Sequence, residues 1–186
     1  MRADAARRRA AIVHAGRTLF AERGSDVALD AVADAAGVGI ATLYRNFDSR
    51  AALLDEVALA ILTDVGVVVD EALAGLDEGA TAAWEGCLRR LVDLDLGALT
   101  AALADHVAGA LSDRVREAQD RTLARVDALL VAARERHLVR ADLSALELVV
   151  AIGMVTRPQP EAVLRAAPDL QQRLASILLA GLRPEA

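Results

Sequence analysis

Two short segments with helical spacing, joined at a single glycine, constrain the fold of this chain more than any other feature. The apolar residues of the first segment share one helical face: Leu29, Val32, Ala33 and Ala36. The second segment follows Gly37 and runs from about residue 40 to 46, with Leu43 and Phe47 spaced four residues apart. Helices of eight and seven residues are not stable alone in water, so both must pack on neighbours. Two short helices around one tight turn have the layout of a helix-turn-helix.

Helical periodicity also predicts the elements on either side of this pair. A first helix over 4–23 stops at Gly24, a favourable residue at a helix C-terminus. Asp48 or Ser49 caps a long helix, in which the valine-rich stretch 66–69 is expected to be a soft spot. Further helices are predicted near 80–95, 97–110, 113–137, 143–156 and 168–182, with connections at 76–79, 140–142 and 157–160.

The composition favours helices along the whole chain. Alanine and leucine dominate the apolar residues, only 2% of residues are aromatic, and there are four prolines. The predicted fold class is therefore all-α. Apolar runs between charged residues reach about ten residues, well short of the roughly 18 that a membrane span needs. Because the polar start also lacks a signal-peptide core, we expect a cytoplasmic protein without a membrane partner.

Charge is unevenly distributed along the 186 residues. The formal net charge is −6, but residues 1–50 hold eight arginines against six acidic residues, whereas residues 51–186 hold 13 arginines against 21. Phosphate neutralisation supplies most non-specific affinity for nucleic acid, so only the N-terminal part is a plausible nucleic-acid surface. Four arginines near the start are expected to form a mobile tail that attracts phosphate without reading sequence: Arg2, Arg7, Arg8 and Arg9.

Residues 19 to 54 carry a resemblance to a known family. Leu19-Phe-Ala-Glu-Arg-Gly24 precedes the stretch Leu29-Asp-Ala-Val-Ala-Asp-Ala-Ala-Gly-Val-Gly-Ile-Ala-Thr-Leu-Tyr-Arg-Asn-Phe47, which continues as Asp-Ser-Arg-Ala-Ala-Leu-Leu54. In order and spacing this sequence resembles the DNA-binding domain of TetR-family transcriptional regulators. The resemblance implies an N-terminal three-helix helix-turn-helix domain over 1–50, joined to a C-terminal helical ligand-binding and dimerisation domain over 51–186.

The second short helix is expected to present a reading face to DNA. Four residues lie opposite the core positions: Ala41, Thr42, Arg45 and Asn46. In a major groove Arg bonds guanine O6 and N7, and Asn bonds adenine N6 and N7. The resemblance implies that the hydroxyls of Tyr44 and Thr42 bond phosphates, while Ile40 lies between the core stripe and the bases. The alternative for Arg45 and Asn46 is a solvated helix face, and for Tyr44 a hydrophobic contact with its hydroxyl in water.

Three positions depart from the usual pattern of that family. Ala28 stands where Thr or Ser commonly caps the second helix and touches phosphate, Gly39 stands where the third helix often has a Ser cap, and Asn46 replaces a frequent His. Alanine and glycine offer no side-chain acceptor to the first turn of a helix. The departures therefore concern the number of phosphate contacts that each subunit makes, and not the fold.

Two C-terminal helices carry broad apolar stripes. The resemblance implies that they pair with the same helices of a second chain as a four-helix bundle, where glycines allow close approach. The expected interface residues are Leu146, Val149, Val150, Gly153, Leu170, Leu174, Ile177, Leu178 and Gly181. The alternative is that both stripes belong only to the core of one chain.

An effector site is harder to recognise. Five unusual residues on alanine- and leucine-rich helices are candidates to line a cavity: Trp84, Cys87, Asp105, His106 and Met154. The alternative for His106 is a surface or core histidine, and the alternative for Trp84 is the core. Nothing in the sequence favours Cys87 as a redox sensor. Few aromatic residues and no clear basic cluster favour a small apolar or amphipathic effector.

No pattern typical of catalysis or metal binding is found. The single cysteine excludes an intramolecular disulfide and a cysteine-based zinc site, and the three histidines lack metal-ligand spacing. We expect no cofactor, no metal and no enzyme activity. The hypothesis is a homodimeric repressor that holds a palindromic double-stranded DNA operator until a small-molecule effector releases it. The alternative is a non-catalytic helical carrier or scaffold that is not retained on DNA even at low salt.

Overall fold

The structure, a computed structural model, describes residues 2–24, 26–94, 96–97, 112–140 and 142–184, and its regular elements in these ranges are helices. In chain order they are α1 (Arg2–Arg23), α2 (Leu29–Ala35), α3 (Ile40–Asn46), α4 (Arg50–Asp93), α5 (Asp113–Glu135), α6 (Ala145–Val155), α7 (Glu161–Ala166) and α8 (Leu170–Gly181). The all-α prediction is confirmed. Apart from residue 97, the helix predicted over 97–110 lies outside the described residues.

The first three helices form the helix-turn-helix that the sequence predicts. The turn after α2 is a Schellman motif, in which the N–H groups of Gly37 and Val38 each donate to a carbonyl of α2 at 3.0 Å. Gly37 has φ +66°, a left-handed conformation that costs little only without a Cβ. Leu43 and Phe47 are then buried in the same core as the apolar face of α1. The two short helices gain from this packing the stability that they lack alone.

Helix α4 reverses direction at Gly79. Gly79 departs from helical backbone angles inside α4 (φ −171°, ψ 75°). The Arg90 guanidinium pairs with the Glu71 carboxylate, 19 residues earlier, whereas a straight helix would separate the two residues by about 28 Å. A Cβ added to Gly75 would lie 3.3 Å from the Cβ of Ala83. The two arms of α4 therefore run antiparallel, with the reversal inside the predicted connection.

The first arm of α4, residues 50–78, is regular helix. The soft spot expected at 66–69 is wrong, because Val68 and Val69 are buried and their packing outweighs their low helix propensity. Helix α5 follows the first arm in a parallel course. Three ion pairs mark this course: Arg114–Glu56 (3.4 Å), Arg125–Asp70 (3.3 Å) and Arg136–Asp77 (2.7 Å).

The C-terminal helices pack on α5 and on each other. Helix α6 contacts α5 and α8 and begins at a capping box, in which the Ser144 hydroxyl accepts from the Glu147 N–H and the Glu147 carboxylate accepts from Ser144. These hydrogen bonds lower the pKa of Glu147. The predicted helices over 143–156 and 168–182 correspond to α6 and α8. The sequence does not predict helix α7, because this helix buries no residue and so has no apolar periodicity.

Arg17 joins α1 to both arms of α4. Its guanidinium pairs with Asp64 on the first arm at 2.6 Å and also donates to the carbonyl of Leu94, which caps the second arm. Gly97 then donates its N–H to Thr156 Oγ1, at the end of α6, at 2.8 Å. A Cβ on Gly97 would lie 2.5 Å from the backbone that follows Thr156. One short segment thus connects α1 with the C-terminal helices.

Candidate nucleic-acid interface and effector cavity

Helix α3 turns one face to solvent because its other face is anchored. Leu43 is fully buried, and Phe47 at the C-cap is nearly so. Five residues predicted to meet DNA are exposed or half-buried on the outer side: Ala41, Thr42, Tyr44, Arg45 and Asn46. Ile40 is half-buried and packs against the core at the inner edge of this face. The structure therefore brings the predicted reading residues together, while their contact with DNA stays a prediction.

The polar side chains of this face fold back along α3. Arg45 Nε donates to the Ala41 carbonyl and Arg45 Nη2 donates to Thr42 Oγ1, both at 3.1 Å. Asn46 Nδ2 donates to the Thr42 carbonyl at 2.8 Å. Such local bonds near solvent contribute little net stability. Base edges in a major groove offer acceptors of the same kind, so exchanging these bonds for base contacts costs little.

Arg9 belongs to the scaffold behind α3. Its Nη1 donates to the Asn46 carbonyl at 2.8 Å, its guanidinium carbon lies 4.3 Å from the centre of the Phe47 ring, and its Nη2 pairs with Glu56 at 3.0 Å. A cation at this end of α3 is stabilised by the helix dipole and by the ring face. Because α1 is helical from Arg2 onward, the expected mobile tail is wrong.

Neither α2 nor α3 begins with a side-chain cap. Ala28 and Gly39 occupy the N-cap positions with extended backbone, and neither provides a side-chain acceptor for the first turn. Arg50 Nη1 donates to the Val27 carbonyl at 2.5 Å, which ties α4 to the chain just before α2. Both helix starts lie where the sequence placed them.

A second surface consists of exposed apolar side chains on α6 and α8. Leu146, Val150 and Met154, spaced four residues apart, leave 54%, 39% and 70% of their area in solvent, and Ile177 leaves 66%. Large apolar side chains grouped on two adjacent helices are typical of an association surface, and the pairing of this face with a second chain stays a prediction. Four further predicted interface residues of the stripe are half-buried: Val149, Leu170, Leu174 and Leu178. Gly181 is exposed, whereas Gly153 is buried in its own chain.

A cavity of about 530 Å³ lies between the second arm of α4, the turn after α5 and the end of α8. Its larger apolar lining residues are buried or half-buried (Trp84, Leu88, Leu138 and Leu179), whereas Ala180 and Pro184 at its edge are exposed. Its charged lining residues are half-buried or exposed: Glu85, Arg89 and Arg183. The carboxylate of Glu85 lies 3.7 Å from both guanidinium groups. This combination of an apolar wall and a charged rim suits a small amphipathic molecule.

The five predicted effector residues do not all meet at this cavity. Trp84 lines it, whereas Cys87 is buried in the core, where desolvation raises the pKa of its thiol to about 12 although Arg90 opposes the shift. Met154 lies on the exposed face of α6 instead of lining the cavity. Asp105 and His106 lie outside the described residues.

Sequence reasoning missed several lining residues because they come from the ends of three elements. His137, in the turn after α5, is one of them, and it adopts a left-handed backbone (φ 54°) where glycine is usual. The left-handed backbone closes the turn that ends α5, in which the N–H groups of His137 and Leu138 donate to the carbonyls of Arg134 and Ala133, both at 2.9 Å. Apolar periodicity carries no signal for such a turn residue.

In the described ranges, no group of three or more His, Cys, Asp or Glu side chains could hold a metal ion. No helix among these residues combines the length and the apolar character needed to cross a bilayer.

The chain is similar to known transcriptional regulators in sequence and in fold. The HTH-type transcriptional repressor KstR2 of Rhodococcus jostii (strain RHA1) is 38% identical over 76 residues, which are 40% of this chain and 37% of that repressor. The TetR transcriptional regulator SCO0520 from Streptomyces coelicolor is 28% identical with a TM-score of 0.63, over 96% of this chain and 99% of that one. A TetR regulatory protein from Mycobacterium vanbaalenii is 29% identical with a TM-score of 0.61, over 98% of both chains.

Two family models match the chain. The model for bacterial regulatory proteins of the tetR family matches residues 12–57, which include α2 and α3. The model for the C-terminal domain of SbtR-like transcriptional regulators matches residues 79–184, more than half of the chain. The chain therefore belongs to the TetR family of transcriptional regulators.

Proposed function

We propose that this chain is a homodimeric, DNA-binding repressor that holds an inverted-repeat operator and releases it when a small-molecule effector binds. The observation that carries the proposal is the polar outer face of α3, anchored from behind by Leu43 and Phe47. The exposed apolar face of α6 and α8 supplies a surface for a second copy of the chain. Two copies related by a two-fold axis present two α3 helices to successive major grooves.

Each residue of the outer face of α3 has a proposed part in DNA binding. Arg45 reads guanine and Asn46 reads adenine, while Ala41 and the methyl group of Thr42 meet thymine methyl groups. Tyr44 and the hydroxyl of Thr42 bond phosphate oxygens. Ile40 closes the inner edge of the interface.

We place the effector in the cavity bounded by Trp84, His137 and Arg183. Its apolar wall favours a hydrocarbon or aromatic body, and its charged rim favours a polar end group. Because the cavity touches the second arm of α4, a bound ligand can favour one inclination of that helix hairpin over another. Regulation then follows from the differential affinity of the ligand for the two states.

Three further assignments belong to this proposal. Residues 1–50 form the DNA-binding domain and residues 51–186 the effector-binding and dimerisation domain, joined by the start of α4. The chain acts by binding alone, without a catalytic step. Since its target is chromosomal DNA, it acts in the cytoplasm.

The test begins with selection of bound fragments from genomic DNA, followed by fluorescence anisotropy on the selected duplex. Arg45→Ala should weaken operator binding by about 1–3 kcal/mol and relax the choice of base at one position in each half-site. Arg121→Ala, on the exposed side of α5, is the matched control and should bind as the unmodified chain does. Equal loss on every sequence would mean that Arg45 meets only phosphate. Failure of the unmodified chain to bind DNA at low salt would favour the carrier alternative.

A further inference from the structure

A groove lies between the start of α1 and the outer face of α3. It has a volume of about 350 Å³ and is lined by Ala5, Arg8, Thr42, Arg45 and Asn46. Two guanidinium groups from different helices therefore border the same groove. The residues on its α3 side are the ones proposed to enter the major groove, so the α1 side lies at the rim of that DNA contact.

The three consecutive arginines of α1 differ in their availability to a ligand. Arg9 is held by Asn46, Phe47 and Glu56 behind α3. Arg7 points to solvent, with 76% of its side chain exposed, and does not line the groove. Arg8 lines the groove, and its guanidinium pairs with Asp4 at 2.6 Å.

The Arg8–Asp4 pair is easily exchanged. Both side chains are about half exposed, and an exposed ion pair four residues apart on a helix stabilises by only about 0.3–0.5 kcal/mol. A phosphate offers the same geometry as the Asp4 carboxylate, because the guanidinium fork matches two oxygens in either group. In the free protein the Asp4 carboxylate thus occupies the Arg8 guanidinium, which borders the groove.

We propose that this groove holds one phosphate of the DNA backbone, and that this phosphate replaces the Asp4 carboxylate as the ion-pair partner of Arg8. The inference rests on the proposed DNA binding by α3. Arg45 reads bases from one side of the groove, while Arg8 fixes the passing sugar–phosphate strand from the other. Asp4 serves as an internal competitor that lowers the affinity of each subunit for any DNA.

The experiment compares Arg8→Ala, Arg7→Ala and Asp4→Asn in the full chain. Binding to a selected genomic fragment and to a mixed-sequence duplex is measured by fluorescence anisotropy between about 50 and 200 mM salt. Arg8→Ala should weaken both complexes by the same factor and reduce the slope of log Kd against log salt by about two per dimer, since each lost phosphate contact contributes about 0.9. Asp4→Asn should tighten both complexes.

Arg7→Ala is the matched control, because Arg7 also lies near Asp4 (3.4 Å) but does not line the groove. Its salt slope should stay at that of the unmodified chain. An Arg8→Ala slope equal to the Arg7→Ala slope overturns the inference and leaves the proposed function intact. A loss confined to the selected fragment also overturns it, because Arg8 would then read bases. Arg8→Lys keeps the charge on the helix and should retain the salt slope of the unmodified chain. This variant keeps the test valid even if Arg8→Ala unfolds α1.

Discussion

Three consecutive arginines on α1 meet three different environments. Each helical residue is rotated by about 100° from the one before, so Arg7, Arg8 and Arg9 point in separate directions. Arg9 is bound within the fold, as are Arg17 and Arg50 through carbonyl oxygens of Leu94 and Val27. Three of the arginines in residues 1–50 therefore hold helices together. The number of arginines in this region overstates the charge available to phosphate.

Cys87 gives the chain a pH dependence that a residue count does not suggest. Burial raises the pKa of its thiol from 9.0 to about 12, so the unfolded chain loses this proton at lower pH than the folded chain does. The unfolded state then binds fewer protons between these two values, and stability falls as pH rises through that window. We expect a loss of about 1.4 kcal/mol from this group between neutral pH and pH 10.

Urea unfolding at neutral pH and at pH 10 measures this effect. Cys87→Ala is the control, and it lowers stability at both pH values by leaving a cavity. Between neutral pH and pH 10, however, this variant should lose less free energy of unfolding than the unmodified chain, by the contribution of the thiol. An identical pH dependence in the two proteins would show that the thiol ionises as easily in the folded state as in the unfolded one.

At the scale of elements, helix α2 lacks a side-chain cap at its N-terminus. Ala28 has extended backbone (φ −61°, ψ 135°) at the N-cap and no side-chain acceptor. Ala28→Thr supplies a hydroxyl to the first-turn N–H groups, which is worth about 1 kcal/mol. For a chain of this size we expect a rise in Tm of about 2–4 °C. Operator binding should tighten as well, through an added hydrogen bond from the hydroxyl to a phosphate.

Ala28→Val is the control, measured by thermal unfolding and operator titration. It separates the effect of the threonine hydroxyl from the effect of a larger apolar side chain. Valine matches the shape of threonine without its hydroxyl, so it should give neither gain. A threonine variant with higher Tm but unchanged affinity would show that this helix end does not meet the DNA backbone. Unchanged Tm would place the effective cap on another group.

The sequence predicts elements best where a local rule sets their limits. Gly24 and Gly37 end α1 and α2 through positive φ values, and Ser49 caps α4 by accepting from Ala52 N–H at 3.1 Å. The course of the chain between elements and the cavity depend on contacts between residues that are distant in sequence. The Arg90–Glu71 pair and the close approach of Gly75 to Ala83 reveal that the predicted connection near Gly79 is a sharp reversal with no loop. Of the residues predicted for the effector, Trp84 alone lines the cavity proposed for it, because the lining residues converge from helix ends that no periodic pattern links.

At the scale of the whole molecule, the proposed assembly of two copies depends on the face formed by α6 and α8. Ile177→Glu places a carboxylate on that face, and a dimer would have to bury it without a partner. Because Ile177 is 66% exposed in the single chain, the charge stays hydrated in the monomer and the fold is retained. We expect monomers by size-exclusion chromatography with light scattering, together with loss of operator affinity.

Val67→Glu is the matched control for assembly. Val67 is a similarly exposed apolar residue, 47% accessible, but it lies on the first arm of α4 and not on α6 or α8. This variant should remain a dimer and keep its affinity for the operator. Equal dimer fractions in Ile177→Glu and Val67→Glu would show that the two-fold contact lies elsewhere.

The first arm of α4 acts as a rod with α3 at one end and the reversal at Gly79 at the other. At 1.5 Å per residue, its roughly 29 residues span about 43 Å. Because the arm is long, a small rotation at one end moves the other end far. A tilt of about 5° around the Gly79 end displaces the Arg50 end by nearly 4 Å. That displacement exceeds the rise of one base pair, about 3.4 Å. An effector in the proposed cavity can therefore act through a tilt of a few degrees, which leaves each α3 folded and unchanged while the two α3 helices of the dimer no longer match the spacing of the two half-sites.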